Sequence, residues 1–185
     1  MKILKWIVII LAVIVLLVIW FLAHMGLFCP MKPYEAKMGP FTIAYESFIG
    51  PYAKTGPVFA KVNDALKAEG IVTTRGLGIY YDNPSQVPAD KLRSDCGVVI
   101  EEKDLAKFNK IKTKFKVKEI AQNDSVVVEF PIRNAVSYMI GPMKAYPALM
   151  KYAGEKNYQM TMIYELYDEA HGKIFFVMAI EKNKP

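Results

Sequence analysis

Tyr80-Tyr81-Asp82-Asn83-Pro84, running on through Val87-Pro88 and Leu92-Arg93 to Cys96-Gly97-Val98-Val99-Ile100, is the stretch whose reading decides the fold. Aromatic and β-branched residues flank a polar, proline-bearing centre, which reads as strand, loop and strand. Asp82 and Asn83 bond back readily to a loop backbone, while Pro84 fixes its own φ and keeps Asn83 out of the helical region. Part of the pattern returns later in the chain. Tyr167-Asp168 closes the apolar run 162–168 as Tyr81-Asp82 closes 76–82, and a further strand follows each.

Working outward, residues 41–48 have strand chemistry and end at Ile49-Gly50-Pro51. Thr55-Gly56-Pro57 then opens a helix with Val58, Phe59, Val62, Ala65 and Leu66 on one face and a stop at Gly70. The second half reads as strands 125–131 and 135–139, the latter entering Ile140-Gly141-Pro142, an echo of Ile49-Gly50-Pro51. A helix from Pro147 carries Leu149, Met150 and Tyr152 to Gly154, and strands 162–168 and 174–180 complete the half. The expected fold class is α+β: a duplicated strand–helix–strand–strand domain, with a curved antiparallel sheet, two helices and a pseudo-twofold groove. The pseudo-repeats are 41–103 and 125–183, joined by a lysine-rich bridge, 104–124. In that bridge Lys110, Lys112, Lys114, Lys116 and Lys118 alternate with Ile111, Thr113, Phe115 and Val117, the period of a half-buried strand whose lysines block edge pairing.

Residues 6–23 are an unbroken apolar run behind Lys2 and Lys5, long enough for a transmembrane helix. A cleaved signal peptide is shorter and ends in a small-x-small site, which Ala23-His24-Met25 does not supply. The expected organisation is an anchor over 1–28, a linker over 29–40 and one domain over 41–183. Lys2, Lys5 and the α-amine outweigh Lys32 and Lys37, so the positive-inside rule places the domain outside the cytoplasm. The 185 residues carry a net charge of +6, too mild for a dedicated nucleic-acid binder. The two cysteines, Cys29 and Cys96, form no CxxC, and Cys96 in a strand reads as a buried free thiol rather than half of a disulfide.

The halves differ at one position that matters for chemistry. Aligned on Tyr-Asp, Glu165 falls where the first half has Ile79, within an apolar strand and on one face with Ile163 and Tyr167. An acid buried there needs a partner or a proton. It would suit a cationic or hydrogen-bonding ligand, with Tyr45, Tyr80, Tyr81, Tyr164 and Tyr167 as stacking faces. The loop residues Asp82, Asn83 and Pro84 would form the rim.

Residues 41–182 resemble the GyrI-like small-molecule-binding family, which includes effector domains of multidrug-sensing transcription regulators and a membrane-anchored, reticulophagy-receptor branch. The likeness rests on Tyr80-Tyr81-Asp82-Asn83-Pro84 with Val87-Pro88, the Thr55-Gly56 turn, Phe130-Pro131, Tyr146-Pro147-Ala148-Leu149 and Glu165-Leu166-Tyr167. It implies the duplicated fold and makes Glu165 the counterpart of the family's central pocket glutamate. No helix-turn-helix accompanies it, and no nucleic-acid partner is expected. His24 and His171 fall outside any Ser-His-acid or metal set, so neither a metal nor a cofactor is expected. The expected function is binding or sequestering small amphipathic or cationic molecules. Two alternatives are a hydrolase using Glu165 as general base and a membrane-tethered protein-interaction domain.

Overall fold

The computed structural model describes residues 2–24 and 26–182. Met1 and Met25 of the expected anchor, and residue 183 at the expected domain end, lie outside the described residues. The chain begins with α1 (Lys2–His24), whose apolar span Leu4–Ala23 has none of its length buried in the protein. There follow β1 (Tyr34–Met38), β2 (Phe41–Ile49), α2 (Gly56–Ala68), β3 (Arg75–Tyr80) and β4 (Arg93–Ile100). A short α3 (Leu105–Phe108) and β5 (Lys116–Ile120) bridge to β6 (Asn123–Pro131), α4 (Ser137–Glu155), β7 (Tyr158–Asp168) and β8 (Lys173–Lys182).

All eight strands form one antiparallel sheet in the order β1-β6-β8-β7-β3-β4-β2-β5. Each half has the same connectivity, β2-α2-β3-β4 and β6-α4-β7-β8, with the last strand inserted between the other two. The halves meet where β3 pairs with β7, in a register that sets Gly76 opposite Tyr167 and Gly78 opposite Glu165. Strand alternation then sorts the side chains into two layers. One face gathers Ile43, Leu77, Val99, Ile120, Val127, Tyr164 and Val177 into a single cluster, with Ala36 against it, so every strand contributes and the sheet curls into a half-barrel around them. The other face carries the helices. There α4 lies on Val126, Val128, Phe130, Phe176 and Met178, and α2 on Ala44, Val98 and Ile100.

Three sequence expectations change. Residues 34–38 of the expected linker are strand β1, which pairs with β6 from Tyr34↔Val127 to Met38↔Asn123. The flanking prolines and the polar residues Glu35 and Lys37 suit an edge strand as well as a linker. Residues 135–139 are not a strand, and Ile140-Gly141-Pro142 does not follow a strand end as Ile49-Gly50-Pro51 does. Both belong to the approach and first turns of α4, which contains Pro142 and Pro147 and buries Ser137, Gly141, Ala145, Leu149 and Ala153 at four-residue spacing. The helix is set up by its own polar residues. Asn134 Oδ1 accepts the Val136 N–H at 2.9 Å, and Ser137 Oγ accepts the Arg133 N–H at 2.9 Å. Finally, the lysine strand is shorter than its alternation suggests: residues 112–114 form a 3-10 turn, and only Lys116 onward joins β5, which is indeed a sheet edge.

Candidate functional site

A cleft of about 1800 Å³ lies between α2 and α4, with the paired strands β3 and β7 as its floor. That exceeds the roughly 300–1,000 Å³ of a closed small-molecule pocket, as befits an open groove. Gly76 and Gly78 make the floor low on the β3 side. A Cβ at Gly78 would come within 2.9 Å of the Tyr80 hydroxyl and 3.0 Å of the Phe59 ring, so the missing side chains are what let aromatic rings lie against the backbone. Phe59 meets Tyr167 edge-on at 5.4 Å, Tyr52 meets Tyr80 at 4.8 Å, and Tyr138 tilts against Tyr167 at 5.8 Å.

At the centre stands Glu165, 5 % exposed. Tyr146 donates to its Oε1 at 2.5 Å and Tyr167 to its Oε2 at 2.6 Å. Because the Tyr167 proton is committed to Glu165, Tyr80 donates in turn to the Tyr167 oxygen at 2.8 Å. Among the described residues no cationic side chain is paired with the carboxylate, whose hydrogen-bond partners are these two tyrosines. Burial raises its pKa to about 7 against the pull of the two tyrosine hydrogen bonds. Burial, and then the glutamate charge, push the Tyr146 and Tyr167 hydroxyls well above their ordinary values, so both remain donors at neutral pH.

The expected site residues divide between the two faces of the sheet. Glu165, Tyr167 and Tyr80 come together in the cleft. Ile79 and Tyr164 are register partners that point into the half-barrel, and Tyr45 packs against the same cluster. The Tyr81 hydroxyl donates to Asp95 at 2.6 Å, and Lys118, ion-paired to Asp95, lies over the rings of both Tyr45 and Tyr81. Burial alone would raise the Asp95 carboxyl, but hydrogen bonds from Lys118 and Tyr81 hold it below its usual value. Tyr45 and Tyr164 therefore lie away from Glu165, whereas Ile79 and Tyr81 border the cleft, Tyr81 with its hydroxyl turned to Asp95. On β3 the cause is a one-residue slip in the alignment on Tyr-Asp: by face, Tyr167 corresponds to Tyr80 and Glu165 to Gly78, while Tyr164 turns away from its neighbour Glu165 by alternation alone.

The rim residues do border the cleft. Asp82 binds the Arg93 guanidinium at 2.8 Å, Tyr52 donates to the Asp82 carbonyl at 2.9 Å, and Asn83 Oδ1 accepts the Ser85 N–H at 2.9 Å. Several lining residues lay outside the sequence expectation: Tyr146, Tyr52, Phe59, Tyr138 and the exposed Met139, Met143 and Met150. With 137–155 a single helix, Pro142, Tyr146 and Met150 recur at four-residue spacing along the cleft side, a periodicity that a helix beginning at Pro147 does not contain. Among the described residues no group of His, Cys, Asp or Glu is arranged to hold a metal.

An open half-barrel with a ligand-sized interhelical cleft and one buried, uncompensated carboxyl defines a small-molecule-binding domain of the α+β class. The model of the GyrI-like small molecule binding domain family matches residues 31–173, and the chain belongs to that family. It is 28% identical to human testis-expressed protein 264 over 137 residues, covering 69% of this chain and 41% of that protein. It is 37% identical to the DNA gyrase inhibitor of Escherichia fergusonii over 62 residues, 33% of this chain and 40% of that one. The chain thus spans less than half the length of these curated relatives. Among solved structures, the EcmrR C-terminal domain superposes with a TM-score of 0.55 at 16% identity, covering 82% of this chain and 98% of that one.

Proposed function

We propose that this protein binds small amphipathic cations in the cleft between α2 and α4, with Glu165 as counter-charge, and that α1 holds the domain at a membrane as a single span. The observation that carries the ligand reading is Glu165 itself. A carboxyl is buried among aromatic rings, oriented by two tyrosine hydroxyls and left without a cation. A ligand cation supplies the missing charge, and Tyr80, Tyr146 and Tyr167 supply ring faces for cation–π contact. The exposed methionines of α4 add adaptable apolar contact for ligands of differing shape. The membrane reading rests on the 20-residue apolar span Leu4–Ala23, none of which is buried against the domain.

The test is a thermal-shift comparison of benzyltrimethylammonium with its uncharged carbon isostere, on the wild type and on Glu165→Gln. Native-state binding raises the melting temperature by mass action. The cation is expected to stabilise the wild type more than the isostere does, and the difference to vanish in the variant. Equal shifts in both proteins would remove Glu165 from the recognition.

The pKa of about 7 favours a second reading, a hydrolase in which ionised Glu165 deprotonates a water for attack on an electrophilic ligand. Time-dependent consumption of an activated ester, abolished in Glu165→Gln with binding retained, would identify it.

A further inference from the structure

Two cations fix the end of α1 against the domain. Leaving α1, the chain passes Ala23, Gly26, Leu27 and Cys29 in turn. Arg133 Nη1 donates to the Ala23 carbonyl at 3.2 Å. Lys144 Nζ donates to the carbonyls of Gly26 at 3.3 Å, Cys29 at 2.6 Å and Leu27. Cationic groups suit a helix C-terminus, where backbone carbonyls are left unpaired. The order of these contacts orients α4. Arg133, just before the helix, is level with the last residue of the apolar span, whereas Lys144, two turns further on, is level with residues beyond it. The N-terminal end of α4 is therefore the end of the domain nearest the span.

That end is apolar and exposed. Val136 is 39%, Tyr138 41%, Met139 66% and Met143 75% accessible. Val136, Met139 and Met143 stand at i, i+3 and i+7, one continuous stripe rather than scattered surface residues. The stripe also borders the cleft. Ala135, Tyr138 and Met139 line its near mouth, where Tyr138 tilts against Tyr167.

We propose that the N-terminal end of α4 docks on the lipid surface that α1 enters, so that the near mouth of the cleft opens onto lipid. The inference rests on the reading of α1 as a membrane span. What selects lipid over a protein partner is continuity: the stripe begins within three residues of Arg133, which touches the end of the span itself. The Val136, Met139 and Met143 side chains lie in the interfacial region. The Tyr138 ring, apolar at its body and polar at its tip, suits that depth.

The test uses the full chain in phosphatidylcholine vesicles that contain lipid spin-labelled on its acyl chains. In a Cys29→Ser background, Met139→Cys carries an environment-sensitive nitrobenzoxadiazole probe. Met150→Cys is the comparator, also exposed and about 16 Å further along the helix. The Met139 probe is expected to shift to the blue and lose emission to the lipid-borne quencher, while the Met150 probe responds to aqueous iodide. Both tryptophans, Trp6 and Trp20, lie in α1 and report the span separately. Quenched tryptophans with a Met139 probe that only iodide reaches would leave the span standing and overturn the docking. A Met139 probe shielded from both quenchers would overturn it too, in favour of a second protein copy on the stripe. Unquenched tryptophans would remove the span, and the docking with it.

Discussion

Desolvation sets the behaviour of Glu165. Its carboxyl has a folded-state pKa of about 7 against an ordinary value of 4.5, so between those two values the folded protein holds a proton that the unfolded chain has released. Stability consequently falls as pH rises through that window and levels off above it, by about 3 kcal/mol for a shift of this size. The expected result is a wild-type melting temperature that declines from pH 4.5 to 7.5 relative to that of Glu165→Gln, measured by calorimetry at each pH. Cation binding carries the opposite sign, because the cation selects the ionised form. Below the pKa, affinity for benzyltrimethylammonium should weaken by about tenfold per pH unit, a slope readable by titration calorimetry. Gly78 gives an independent handle on the same site. A valine there would put methyl groups against the Tyr80 hydroxyl and the Phe59 ring, so Gly78→Val is expected to abolish ligand-induced stabilisation. Glu165 was legible in the sequence, as an acid inside an apolar strand where the matching strand of the first half has none before its closing Tyr-Asp. Its partner Tyr146 was not, because the side chain reaches the site from another element and nothing in local spacing encodes that meeting.

At the scale of elements, α4 holds the largest difference between sequence and structure, and its composition explains why. Ala135-Val136-Ser137-Tyr138-Met139 has the residue types and alternation of a strand. The face that the helix buries is made mainly of Ser137, Gly141, Ala145 and Ala153, whose small side chains give almost no apolar periodicity to read. Small residues are needed for close approach: a Cβ at Gly141 would lie 2.7 Å from the fully buried ring of Phe176. Alanine improves helix propensity by about 1 kcal/mol, but overpacking a fixed ring costs about 1–3 kcal/mol. Gly141→Ala should therefore lower stability, by about 1 kcal/mol net in a denaturant titration. By contrast, the bounds of α2 and the heart of its buried face were readable, although Ala65, expected on that face, is exposed. Pro57 in its first turn, Val62 and Leu66 on its buried face and Gly70 after its end, at φ +73°, are local signals that the tertiary structure does not override.

For the whole molecule, the half-barrel follows from alternation summed over eight strands. A single sheet with helices on one face would leave the other face wet, and curling buries it without a second layer. Alternation in the sequence conveyed the two faces but not the curl, which depends on contacts such as Phe41 with Tyr164, whose strands are not neighbours in the sheet. The sheet order also ranks local stability. Amide protons of β3, β7 and β8, paired on both sides, are expected to exchange slowest, and those of the edge strands β1 and β5 soonest, by hydrogen-exchange mass spectrometry.

Cys96 gives the molecule a clock of its own. The thiol is free, fully buried in β4 beside Gly78, and pushed up to about 11 by burial. A thiol in that state is inert until the strand separates from its neighbours. Its modification by a soluble disulfide reagent therefore counts openings of the central sheet, with the half-exposed Cys29 titrating first as a built-in reference. Any occupant that grips β3 and β7 together slows that count, so occupancy of the protein as it stands can be timed with no dye attached.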